Sequence, residues 1–255
     1  MMRLIGLAIA TAFLAGCTGG APSGALKKRI DRALAIAPGA GQPSKVVATE
    51  VAFERLARET GQWSAFSDYA AIGALIHQQD GPVSAAEWLS RQGNPSETAR
   101  WNPRSVWISC DGSLALSKGR FRTPAGEVGD FVRVWQSSGP NEYQWKYHLA
   151  ALDNPQPPPP SPSGSASENE IRVTAFDTIQ GFVADCPKRD LPTPAPMAAP
   201  LIDGVEQAGG ISRDRTLQWR WQHDSDGGRR IVAHYVEGGE WKLALDESKG
   251  PASAD

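Results

Sequence analysis

The sequence predicts an α+β protein in which three helices lie on one face of a curved antiparallel sheet, with a small antiparallel β element at the C-terminal end. Three observations support this. Apolar residues recur at helical spacing up to about residue 93. From residue 105 the period changes to two, in runs separated by compact turns such as Asp111-Gly112. The stretch "NPQPPPPSPSGSASEN", residues 154–169, then has no packable face and reads as an extended, partly polyproline linker.

The elements follow in order. In "ALKKRIDRALAIA", Leu26, Ile30, Ala33, Leu34 and Ala37 fall at helical spacing with Lys27, Lys28, Arg29 and Arg32 around them. Such a basic amphipathic helix either packs on the domain behind it or rests on anionic headgroups. Ser44 is placed as the N-cap of the first domain helix and Gly61 as its C-cap, with Val47, Val51, Phe53, Leu56 and Ala57 on its apolar side. "QWSAFSDYAA" puts Trp63, Phe66 and Ala70 on one face of a second helix. Ser84-Ala85-Ala86-Glu87 is a capping box opening a third, with Val83 in place to staple onto Trp88.

Strand runs are expected at 105–110, 114–122, 130–136 and 142–150, forming a meander. Beyond the linker, "IRVTAF", "GFVADC", "TLQWRWQ" and "RIVAHYVEGGEWKLALD" read as further strands, with Gly238-Gly239 as a tight hairpin turn. The expected organisation is a signal segment at 1–16, a tether and amphipathic helix at 17–43, and the α+β domain at 44–153. The linker at 154–169, the β element at 170–248 and a patternless, disordered tail at 249–255 complete it.

The start of the chain speaks to compartment. Met1-Met2-Arg3 precedes the uncharged apolar run "LIGLAIATAFL", too short to span a bilayer and suited to a signal-peptide core. Leu14-Ala15-Gly16-Cys17 resembles a bacterial lipobox, in which the cysteine thiol is diacylated and becomes the new N-terminus. Cys17 is then an acyl anchor, each buried methylene contributing about 0.8 kcal/mol. Thr18 stands where an Asp would resemble the inner-membrane retention signal, so the expectation is an outer-membrane lipoprotein with its domain facing the periplasm. Export also makes a Cys110–Cys186 disulfide the natural state of the two remaining cysteines, two buried free thiols being the alternative.

Lys plus Arg number 26 against 28 Asp plus Glu, a balance that gives no reason to expect a nucleic-acid partner. The four histidines, His77, His148, His223 and His234, show no H-x-H or H-E-x-x-H spacing, so neither a metal nor another cofactor is expected. His148 shares a strand face with Lys146 and is expected in solvent. Asp224-Ser225-Asp226-Gly227-Gly228 fails as a calcium loop, because Arg229 and Tyr235 occupy the required Gly and Glu positions; it reads as a hairpin turn. The nine tryptophans are core bulk or the walls of an aromatic site.

The series "VVATEVAFERLARETGQWSAFSDYAA", "SAAEWL", "WNPRSVWISCDGSLALSKGRF" and "GDFVRVWQ…YQWKYHLA" resembles the nuclear-transport-factor-2-like superfamily, in its SnoaL-like branch. The resemblance covers about 110 residues. It implies a cone-shaped fold whose helices and sheet enclose a pocket. Many members carry paired acids after the second helix, where this chain reads Ala70-Ala71-Ile72-Gly73-Ala74, and no catalytic residue is nominated. The expected pocket is apolar, with Trp63, Phe66 and Tyr69 from the second helix, His77 beyond it, Trp107 and Trp135 as walls, and Arg133 at the mouth.

Three functions are compatible with this reading. One is a non-catalytic envelope lipoprotein, held to the membrane by its lipid and binding a small apolar ligand or an envelope protein. A second is an isomerase- or dehydratase-type enzyme using a pocket acid or base near Tyr69 or His77. The third is a structural or interaction protein of the envelope, which a filled interior would favour.

Overall fold

Pro43 begins the first helix, because its fixed φ and missing N–H suit the first helical position. The computed structural model describes residues 41–158, 178–188, 193–198 and 205–250. Cys17, the tether and basic helix before residue 41, most of the linker and the run at 171–176 lie outside the described residues. Helix α1 (Pro43–Thr60) has Gln42 as its N-cap, so Ser44 falls inside the first turn and does not cap it. The helix buries Val46, Glu50, Phe53 and Ala57, spaced four, three and four residues apart. That face is rotated from the expected one, and Val51 is exposed.

Gly61 ends α1 at φ 105°, a conformation that favours glycine. Helix α2 (Gln62–Asp68) follows at once, and its free N-terminal amides find a distant cap. Asn94 Oδ1 accepts from the Trp63 amide at 2.8 Å and the Ser64 amide at 3.2 Å. The second helix stops earlier than expected, and the chain enters strand β1 (Ala70–Gln78). Strand β2 (Gly81–Ser84) and helix α3 (Ala85–Leu89) come next. Ser84 caps α3 as the capping box requires, its hydroxyl accepting from the Glu87 amide at 3.4 Å.

The strands that follow are β3 (Arg100–Ile108), β4 (Leu114–Arg122), β5 (Val128–Gly139), β6 (Glu142–Leu152) and β7 (Gln180–Val183). With β1 and β2 they build a seven-stranded curved sheet in the order β2-β1-β6-β5-β4-β3-β7. Two pairings are parallel, β1 with β6 and β3 with β7, so the sheet is mixed. Strand β7, from beyond the linker, thus joins the first sheet. Strands β8 (Val205–Ile211), β9 (Leu217–Asp224), β10 (Arg229–Glu237) and β11 (Glu240–Lys249) form a separate antiparallel sheet in the order β11-β10-β9-β8. Gly238 and Gly239, both at positive φ, make the expected hairpin turn between its last two strands.

The large sheet is covered on both sides. On one face Phe131, Trp135, Tyr143 and Trp145 pack against Val46, Phe53 and Phe66 of the helices. On the other, Leu116, Val132, Val134, Tyr147 and Leu149 pack against Leu217, Trp219, Trp221, Ile231 and Leu245 of the second sheet. Helices, large sheet and small sheet are three successive layers. Alternation along β5 distributes the load: Phe131, Arg133 and Trp135 point to the helices, Val132 and Val134 to the second sheet.

Covalent and polar links fasten the layers. Cys110 and Cys186 form a disulfide with Cα atoms 5.0 Å apart, just past the paired ends of β3 and β7. Beside it the Cys110 amide donates to Thr216 Oγ1 at 2.9 Å, and the Asp185 amide donates to the Val236 carbonyl at 2.8 Å. Lys118 of β4 pairs with Glu247 of β11 across the same gap.

Candidate functional site

The space under the helices, where a pocket is expected, contains a buried ion pair. Glu50 projects from the middle of α1 and is fully buried. Its Oε2 pairs with Arg133 Nη1 and accepts from Trp101 Nε1 at 3.2 Å. Its Oε1 accepts from Ser117 Oγ at 2.5 Å and from Trp135 Nε1 at 3.2 Å. Both carboxylate oxygens are occupied, which is what makes a charge tolerable at this depth.

Arg133 is 1% exposed. Its guanidinium carbon lies 4.7 to 5.6 Å from the ring centroids of Phe53, Phe66, Trp101, Phe131 and Trp135. The aromatic faces stabilise the cation, as they would a bound cationic ligand. Burial lowers the proton affinity of Arg133 and Glu50 opposes that shift; a guanidinium keeps its charge in such surroundings. The chain fills its own aromatic box.

This overturns the placement of Arg133 at a pocket mouth. Trp135 is likewise a donor to Glu50 and a core residue, and its truncation would open a hole in packed interior. Trp63 packs edge-on to Phe66 and Trp88, and Tyr69 stacks on Phe53, so all three aromatics assigned to the second helix serve that core. Trp107 and His77 face the opposite side, toward the second sheet, where Trp107 stacks on Phe182. The seven residues expected around one pocket are divided between two cores, because alternation along the strands sends neighbours to opposite faces.

His148 also differs from expectation. Lys146 is an extra residue in β6, opposite the step from Val134 to Trp135 in β5, and this bulge resets the alternation. His148 consequently pairs across the strands with Arg133 and packs among Phe66, Phe131 and Trp145. Burial, and then the charge of Arg133, hold it well below the ordinary histidine range. Its Nδ1 and Arg133 Nε are buried without hydrogen-bond partners.

A second polar cluster closes the seam between the sheets. His77 Nδ1 and the Tyr147 hydroxyl lie 2.5 Å apart, and His77 Nε2 and His223 Nδ1 are 3.2 Å apart. Arg229 Nη1 donates to the His77 carbonyl at 3.3 Å. Burial first, then the electrostatic influence of His223 and Arg229, lowers His77 to about 4, while burial raises Tyr147. Tyr147 O–H to His77 Nδ1, followed by His77 Nε2–H to His223 Nδ1, satisfies this chain with all groups neutral. Among the described residues no group of three or more His, Cys, Asp or Glu side chains could hold a metal.

The open space lies elsewhere. A groove of about 680 Å³ runs over the outer face of the second sheet, between strands β8 to β10 and the extended segment 193–198. Met197, Ile211 and Val232 are among its apolar walls, and Arg220 and His234 among its polar ones. The segment is tied down at two points: the Met197 amide donates to Gln218 Oε1 at 3.2 Å, and Trp241 Nε1 to the Ala195 carbonyl at 2.8 Å. A hollow of about 450 Å³ near Arg104 and Gln180 is different, since its Lys118 and Arg120 already pair with Glu247, Asp130 and Asp153.

The groove was not legible beforehand. Strand β8 and segment 193–198 lack the apolar alternation that marks strands, and "PTPAPMAAP" reads as an exposed loop. Glu50 was equally missed, although a carboxylate at a core phase of α1 and an arginine at a core phase of β5 were visible. The sequence matches no protein-family model, and a search of curated proteins gave no match.

Proposed function

We propose that this chain is a lipid-anchored envelope protein that binds a small ligand or partner and performs no catalysis in its helix-covered interior. The Glu50–Arg133 pair inside its aromatic box carries the non-catalytic part, because it fills the interior beneath the helices; a filled interior favours an interaction protein, and the groove on the second sheet is where a ligand or partner finds room. Glu50 has no lone-pair direction left for a reacting proton, His148 is embedded in rings, and His77 is closed off by Tyr147 and His223. Three helices on a curved sheet support the cone-shaped, nuclear-transport-factor-2-like assignment, and the lipobox-like run ending at Cys17 supports the anchor.

The anchor is tested by labelled fatty acid. Wild-type protein should take up the label and sediment with membranes, and Cys17→Ser should do neither, because only the acylated thiol supplies attachment. Native mass spectrometry of wild type extracted in mild detergent should then show a non-covalent companion released unchanged. Equal labelling of Cys17→Ser, or a substrate converted to product by the extracted protein, would defeat the proposal.

A further inference from the structure

Among the described residues, Arg220 differs from Lys118 and Arg120, which line the smaller hollow, and from the interior Arg133. Lys118 and Arg120 are engaged by carboxylates, and Arg133 is sealed with Glu50. Arg220 makes no hydrogen bond or ion pair among the described residues, and its Nε is buried within the protein without a partner. Among the described residues that line the groove there is no aspartate or glutamate. Asp246, the carboxylate felt by neighbouring His234, is bound at 2.7 Å by Arg230 Nε. A guanidinium left in this state carries an unmet demand for a carboxylate.

The surroundings of Arg220 suit an apolar body behind that carboxylate. Met197 and Ile211 are exposed large apolar side chains at the groove, and Val232 is part of its floor. Gly209 and Gly210 leave the edge strand β8 bare: a Cβ at Gly209 would collide with the Trp219 carbonyl, and one at Gly210 would lie 3.1 Å from Trp219 Nε1. Glycine inside a strand marks places where a ligand or another backbone approaches closely. Few polar groups set in apolar walls is the usual composition of a small-ligand site.

We propose that the groove between segment 193–198 and strands β8 to β10 binds an apolar carboxylate, its acid group on Arg220 and its chain between Met197, Ile211 and Val232. Gln207 and Gln218 also line the groove as neutral amides, Gln218 holding the Met197 amide. The proposal rests on the reading of this chain as a binding protein and names the ligand chemistry. A lipid-derived acid and a peptide C-terminus share that chemistry.

The test is calorimetric titration of the full-length protein in a non-ionic detergent with hexanoate, hexanamide and acetyl-leucine. Hexanoate should bind about tenfold more tightly than hexanamide, the margin expected of one charge-assisted hydrogen-bonded contact. Arg220→Gln should abolish that preference and Arg220→Lys should keep part of it, with near-ultraviolet circular dichroism confirming that both variants are folded. Tighter binding of hexanoate supports the site and assigns it to lipid acids; tighter binding of acetyl-leucine supports it and assigns it to peptide termini. Equal affinity for acid and amide, an unchanged Arg220→Gln variant, or no binding would each overturn it. Failure here leaves the closed-interior reading standing, since that reading is tested separately through Arg133.

Discussion

Replacing Arg133 with Met should destabilise the protein by about 3–5 kcal/mol, the loss expected when one partner of a buried ion pair is removed. Methionine fills much of the same volume, so the expected cost comes chiefly from stranding Glu50. The carboxylate would keep Ser117, Trp101 and Trp135 as donors but lose the counter-charge of Arg133. Denaturant unfolding measures the loss directly, with an unchanged slope showing that the transition still exposes the same surface. Combining Arg133→Met with Glu50→Gln should recover a substantial part, because neither charge is then left alone. An arginine at a solvated pocket mouth would behave otherwise: its replacement would cost less than about 0.5 kcal/mol.

The second large effect concerns the disulfide. Cys110 and Cys186 are separated by 76 positions, and chain-entropy arguments give closure of so long a loop up to about 4 kcal/mol. The pair sits where three segments converge: the end of β3, the end of β7, and the Thr216 and Val236 region of the second sheet. Replacing both cysteines with serine should lower stability by about 2–4 kcal/mol and loosen β7 first. Strand β7 is four residues long, lies at a sheet edge and, among the described strands, pairs with β3 alone, with the Phe182 ring contacts and the Asp185 hydrogen bonds as its further ties. Hydrogen exchange should report faster opening at residues 180–186 than at β4 or β5. Unchanged protection there, with unchanged unfolding, would show that the bond contributes nothing to the native layer order.

What could be read in advance divides along physical lines. Local signals were dependable where one interaction decides the outcome: the Ser84 cap, the Gly61 stop and the Gly238-Gly239 hairpin are each set by a few neighbouring residues. The four strands of the meander were visible because β4 and β6 carry period-two or continuously apolar runs. Strand β1 was not. "AAIGALIHQ" contains alanine, leucine and a glycine at positive φ, a composition with no preference strong enough to separate it from the helix before it. Its strand state comes from pairing in parallel with β6, a contact some seventy residues away in the chain.

The candidate site was less legible because faces had to be assigned before neighbours could be. Trp107 and Trp135 both lie in apolar runs, and only the strand registers show that one faces the second sheet and the other the helices. His148 depended on a single extra residue, Lys146, that reverses the alternation behind it. Arg220 alternates with Trp219 and Trp221; both tryptophans turn inward to the packed layer, and the arginine lines the groove on the outer face. For the two tryptophans and His148 the cause is burial of both faces of the large sheet, since it removes the polar side that normally reveals direction.

The central proposal is that this protein binds on the outside of its second sheet and keeps its helix-covered interior closed. Nitrogen–proton correlation spectra recorded during a hexanoate titration test it most directly, because the two locations carry different reporters. The account predicts shifts at the backbone amides of Gly209, Gly210 and Ile211 and at Arg220 Nε–H, with the indole signals of Trp101 and Trp135, both held by Glu50, left in place. Movement of those two indole signals, with β8 and Arg220 unaffected, would place the ligand beneath the helices and contradict it.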